Sequence, residues 1–168
     1  KGTDRSAYFR GEIDKYEWKG LGSSYLLSDI LAAKLLAQLE EVRFITKQRK
    51  KIWEYYYNSL AHLEEQGICM MPNVPDYAIH NGHIYYLVCQ NSNEKNRLIT
   101  YFKKNNIQST FHYLALHKSM FFKDKYHGPP LPNADRFTDC LLRLPIYPDL
   151  TPDEQMKVIE KLSHFFVA

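Results

Sequence analysis

No stretch of the sequence approaches the roughly 20 consecutive apolar residues that a helix needs to cross a bilayer, so a membrane partner is not expected. Surplus charge is equally short. Lys and Arg total 22 against 19 Asp and Glu, a net charge of +3, whereas proteins that track phosphate backbones carry a clustered basic face; a nucleic-acid partner is not expected either. Cysteine is limited to Cys69, Cys89 and Cys140, odd in number and without a CxxC spacing. That excludes a disulfide framework and fits reduced, buried thiols in a cytoplasmic protein. Neither a Walker pattern nor the dinucleotide GxGxxG occurs, which removes the glycine-loop nucleotide binders. His80 with His83, and His112 with His117, have no cysteine or carboxylate at ligand spacing, so no metal site is expected.

What the chain does contain is enough apolar material for a core. Its 168 residues are 45% hydrophobic and 24% charged, the profile of one ordinary globular domain. Tyrosine is abundant at 13, supplying packing area and hydroxyls that seek partners.

Residues 1–22 mix charge, aromatics and glycines without a period and read as an extended connector. A helix is expected from Ser28, its cap, with Asp29 favouring the positive end. Helical composition continues over residues 40–66, long enough for two helices or one bent, with Gly67 as the stop. Within it, Gln48-Arg49-Lys50-Lys51 reads as a solvated face. Strands are expected at residues 68–71, 83–89, 107–113 and 142–144, and helices after the Asn91 turn and over residues 133–141. A last helix begins at Thr151-Pro152-Asp153-Glu154, a capping box with proline at the first helical position. This order predicts an α+β fold: a small, mainly antiparallel sheet packed against helices, with a long helical segment.

Two places could carry chemistry. Residues 111–117 crowd aromatic, imidazole and phenol groups at the end of a strand, and the residues alone leave site and core packing both open. Gly22-Ser23-Ser24-Tyr25 offers hydroxyls and free N–H groups before a helix, suited either to a phosphate or to simple capping.

These segments, taken in order, resemble the DegT/StrS-type sugar aminotransferases. Gly22-Ser23-Ser24-Tyr25-Leu26-Leu27-Ser28-Asp29-Ile30-Leu31-Ala32-Ala33 with Ala37-Gln38-Leu39-Glu40 is similar to the family's glycine-started block and Ala-Ala helix. His112-Tyr113-Leu114-Ala115-Leu116-His117 is similar to its His-Tyr-x-Pro-Leu-His block, and Leu142-Arg143-Leu144-Pro145-Ile146-Tyr147 to its Leu-Pro signature. The N-terminal residues Lys1-Gly2-Thr3-Asp4-Arg5-Ser6, Phe9-Arg10-Gly11 and Asp14-Lys15-Tyr16 narrow the likeness to members acting on dTDP-4-keto-6-deoxyhexoses.

The resemblance implies the C-terminal small domain of a fold-type I transferase dependent on pyridoxal 5'-phosphate, with residues 1–27 a connector and residues 28–168 the small domain. It further implies a homodimer, amino transfer from glutamate to the C4 ketone of a dTDP-sugar, and a place in cell-surface polysaccharide synthesis. The Schiff-base lysine would precede Lys1, so this piece alone is expected to be inactive and to hold no cofactor. Ser24 stands where many members have Asn and would donate to the cofactor phosphate across the dimer. Arg10, His112, Tyr113 and His117 would face the substrate; Ala115 stands where the block has proline. A non-catalytic dimerisation or interaction module derived from the family is the alternative.

Overall fold

The computed structural model describes residues 3–15, 17, 19–23 and 25–167. By contact density the chain divides into two units, Lys1–Val42 and Arg43–Ala168.

In the first unit, α1 (Arg5–Phe9) and α2 (Asp29–Glu40) are the helices among the described residues. The connector is thus not wholly extended. Asp4 explains the difference: its main-chain carbonyl accepts from Ala7 N–H at 2.9 Å while its side chain accepts from Glu17 N–H at 2.8 Å, closing a local turn that composition does not announce. Ser28 caps α2 as its sequence implies, Oγ accepting from Leu31 N–H at 3.4 Å. No residue of α2 is buried, although Ile30, Leu31, Leu35, Leu36 and Leu39 stand on it.

The helical segment predicted for residues 40–66 is α3 (Val42–Glu65), separated from α2 by Glu41. There follow β1 (Tyr85–Val88), α4 (Ser92–Lys104), β2 (Thr110–Phe111), a 3-10 turn (Leu116–Lys118), α5 (Pro132–Cys140), β3 (Leu141–Leu144) and α6 (Pro152–Val167). The strands form an antiparallel sheet in the order β1-β3-β2, with Tyr86 and Thr110 both opposite Arg143. Residues 68–71 contribute only a single bridge, Met70 to Val88, because Pro72 has no N–H with which to extend a ladder. No described helix is long and apolar enough to cross a membrane.

Strand alternation gives the sheet two different faces. Tyr85, Leu87, Leu142 and Leu144 meet Trp53, Tyr56, Leu60 and Leu63 of α3, Leu98 and Phe102 of α4, and Val158 and Leu162 of α6 in one core. Buried polar groups there are satisfied. Gln155 Nε2 donates to Ile52 O at 2.6 Å, and the Tyr56 hydroxyl donates to Pro145 O at 3.1 Å. On the other face, Val88 and Leu141 pack with Cys140, and Tyr86 lies edge-on to Phe137 of α5 at 6.2 Å.

The Asn91 cap and the Thr151 capping box hold as read: Asn91 accepts from Glu94 N–H at 2.9 Å, and Thr151 and Glu154 cap each other reciprocally at 3.0 and 3.3 Å. Arg49 departs from the solvated reading of its run. Its Nε donates to Gly82 O at 3.0 Å and its Nη2 to His83 O, fixing residues 80–83 to α3.

Burial pushes the Cys69 and Cys89 thiols up to about 12. At pH 8 their thiolate fraction is then on the order of 10⁻⁴. Native chain treated with iodoacetamide should therefore leave both unalkylated by mass spectrometry, and alkylate them once urea is added.

His80 carries a pH dependence. Its ring lies 4.3 Å from that of Trp53, and Nδ1 accepts from Gly82 N–H at 3.2 Å, so the neutral form is the one the fold uses. Burial, with Lys50 adding to it, lowers its pKa from the usual 6.5. Between the two values the unfolded chain binds more protons, so stability falls as pH drops below about 6.5. Urea midpoints at pH 7.5 and 5.5 should show a smaller drop in His80→Phe, which keeps the ring contact and cannot titrate.

Candidate functional site

The block at residues 112–117 leaves the edge strand β2 and runs into the 3-10 turn. His112 is half-buried, its Nδ1 enclosed and without a hydrogen-bond partner. Its ring meets that of Tyr113 edge-on at 5.3 Å. Tyr113 itself is 82% exposed, so its phenol is presented outward instead of packed.

His117 is held differently. Its Nε2 lies 3.0 Å from Asp135 Oδ1, and Lys118 Nζ lies 2.8 Å from the same oxygen. The Lys118 contact is an ion pair, and that oxygen lacks the alignment of a full hydrogen bond to either group. The Lys118 ammonium, with His117 adding to it, holds the Asp135 carboxyl below its usual range. Asp135 sits in the first turn of α5, where the helix dipole also favours a negative charge. The His117 side chain is only 13% exposed, and its ring lies 5.5 Å from that of Tyr126, whose hydroxyl donates to Pro129 O at 2.6 Å. The carboxylate therefore fixes the imidazole and staples the block to α5, an arrangement that can orient a histidine at the base of a recognition loop.

The structure thus gathers His112, Tyr113 and His117 in one run of the second unit. Arg10 belongs to the first unit at the end of α1, with its fork closed on Glu12 at 2.6 and 2.9 Å. A diphosphate there would have to displace that carboxylate. Ser24 lies outside the described residues. Asp135 was missed by sequence reasoning because its partners come from a different element. Arg143 had a readable signal, as the one charge in an otherwise apolar strand.

Among the described residues there is no group of three His, Cys, Asp or Glu able to hold a metal. The one buried lysine among them does not suit covalent attachment of pyridoxal phosphate. Lys95 is the one buried lysine, and its ammonium donates to Thr138 O at 3.3 Å, closing the last turn of α5. Asp135 is occupied by His117 and Lys118. No step through the cofactor is assigned to these residues.

Comparison with known proteins extends the likeness. The uncharacterized protein MJ1066 of Methanocaldococcus jannaschii is 29% identical over 153 residues, covering 88% of this chain and 39% of that protein. The putative sugar aminotransferase Spr1654 from Streptococcus pneumoniae, in a PMP form, superposes with a TM-score of 0.83 at 21% identity, covering 99% of this chain and 42% of that one. A DegT DnrJ EryC1 StrS aminotransferase from Brucella abortus gives 0.79 at 24% identity, covering 98% and 43%. This chain therefore spans about two-fifths of the length of the proteins it matches. The DegT/DnrJ/EryC1/StrS aminotransferase family model matches residues 5–163, and the chain belongs to that family.

Proposed function

We propose that residues 28–168 form the small domain of a sugar-nucleotide aminotransferase, with residues 1–27 the connector that packs on a cofactor-holding large domain. The whole protein would act as a cytoplasmic homodimer and move the amino group of glutamate to the C4 ketone of a dTDP-4-keto-6-deoxyhexose. Its product would feed lipopolysaccharide or another cell-surface polysaccharide. The observation that carries this reading is the family match across residues 5–163, within which the block from His112 to His117 is held in a defined conformation by Asp135.

The family depends on pyridoxal phosphate, which supplies the electron sink for amino transfer. In this reading the lysine that binds it and the acid facing its pyridine nitrogen belong to the large domain. The residues of this chain bind and orient. Tyr113 and His112 offer donors to the sugar nucleotide, and His117, steadied by Asp135, sets the angle of the loop that presents them. Ser24 would donate to the cofactor phosphate of the neighbouring subunit, and Arg10 would exchange Glu12 for the substrate's diphosphate, since a guanidinium suits phosphate oxygens.

The test uses the intact protein with pyridoxal phosphate, glutamate and a panel of dTDP-, UDP- and GDP-linked 4-keto sugars. Mass spectrometry should show the amino sugar with the dTDP substrate, and release of 2-oxoglutarate should match it mole for mole. No amination of any keto sugar would remove the reading. The exposed apolar helix α2 favours a second reading, a non-catalytic dimerisation module; such a protein would associate and give no product.

A further inference from the structure

The outer face of the sheet, opposite the core, carries a row of polar groups whose hydrogen-bonding atoms the fold leaves unpaired, although the Tyr86 ring packs edge-on to Phe137. Register places Tyr86, Arg143 and Thr110 directly opposite one another across β1, β3 and β2. Directly opposed residues in antiparallel pairs project to the same face. Three strands at about 4.8 Å spacing make this row about 10 Å wide. Next to it on β3, Leu141 joins Val88 and Cys140 in an apolar cluster, so the polar row is bordered by apolar packing on one side.

All three side chains can donate hydrogen bonds, and one is a permanent cation. Among the described residues, none of the three makes a side-chain hydrogen bond or ion pair. Arg143 Nε is enclosed and without an acceptor, and an unmet buried donor is destabilising. His112, just past the end of β2, has a second enclosed nitrogen without a partner, Nδ1. Arg10 faces the Glu12 carboxylate; Arg143 instead stands between two hydroxyl residues and no carboxylate, and its Nε bonds neither of them. Ser109 Oγ, just before β2, is also unpartnered.

We infer that the Tyr86–Arg143–Thr110 row is a seat for a small oxyanion, which it grips through the guanidinium fork with a hydroxyl on either side. A carboxylate and a phosphate oxygen both match that fork. Which of them it takes in the intact protein, the carboxylate of the amino donor or the diphosphate of the sugar nucleotide, rests on the aminotransferase reading. The seat itself does not.

The test is an NMR titration of the full 168-residue chain, following the Arg143 Nε–Hε signal and the Thr110 amide. Inorganic diphosphate and 2-oxoglutarate are added separately at constant ionic strength set with chloride. A saturable shift is expected with one or both, and the tighter of the two names the source. Arg143→Gln should raise the half-saturation concentration at least tenfold, Arg143→Lys less, and Thr110→Val about two- to fivefold. Should Arg143→Gln fail to fold, Thr110→Val and Tyr86→Phe decide, since neither removes a packed group. No saturable shift with either anion, or half-saturation unchanged in the folded variants, overturns the seat. Such a result would leave amination by the intact protein untouched. Conversely, a saturable shift in a protein that aminates nothing would keep the seat and remove the aminotransferase reading.

Discussion

Replacing Phe102 with alanine should cost about 3–5 kcal/mol of stability, the range for truncating a fully buried phenylalanine. Phe102 is 0% exposed on the inner side of α4, in the core shared by the sheet, α3 and α6. Its carbonyl also accepts from the N–H groups of Asn105 at 2.9 Å and Ile107 at 2.9 Å, so the turn that ends α4 is built on the same residue. Removing the ring leaves a cavity between elements that cannot all close on it at once. Phe102→Leu, which keeps most of the volume, should lose far less. Phe165 on α6 is only partly buried against the same core, and Phe165→Ala should fall below Phe102→Ala. Urea unfolding of the three variants checks the order. A loss under about 1 kcal/mol for Phe102→Ala would contradict the core placement.

The second large effect concerns association. Ile30 is 82% exposed and Leu36 58% exposed, and apolar side chains surround α2 on every side of the helix. A helix that is apolar all round belongs in an interior, and monomers seldom show more than a few hundred Å² of contiguous apolar surface. The chain on its own should therefore self-associate, with a sedimentation coefficient that rises with concentration. Ile30→Glu combined with Leu36→Glu should return it to a monomer without lowering the urea midpoint, because neither residue is part of the core. A parent chain that sediments as a monomer at high concentration would refute this.

These two residues also show where sequence reading succeeds and where it stops. Phe102 was legible as part of an amphipathic helix, because apolar spacing at 98, 99 and 102 and the Asn91 cap are local signals. The capping box at Thr151 was legible for the same reason. The strand expected over residues 107–113 shrank to Thr110–Phe111. Ile107 turns into the core after a left-handed Asn106 instead of joining the ladder, and β2 lies at the sheet edge with only β3 to pair with.

The candidate site was singled out by composition and not by geometry. Crowding at residues 111–117 drew attention to that segment, and the family likeness implied a substrate-facing role for His112, Tyr113 and His117. That Asp135 grips His117 depends on how α5 folds back, which no local pattern encodes. Gly82 makes the same point. Its φ of +63° suits glycine in a turn, but the closer constraint is tertiary: a Cβ there would meet the Arg49 carbonyl carbon at 2.8 Å.

The central proposal is that this chain would frame the cofactor of a sugar aminotransferase without holding it covalently. Borohydride reduction in the presence of pyridoxal phosphate, followed by peptide mapping, tests that claim most directly. In the intact protein the proposal predicts one stoichiometrically labelled lysine outside these residues, and only trace labelling within them. A lysine among these 168 residues labelled to one equivalent would contradict it.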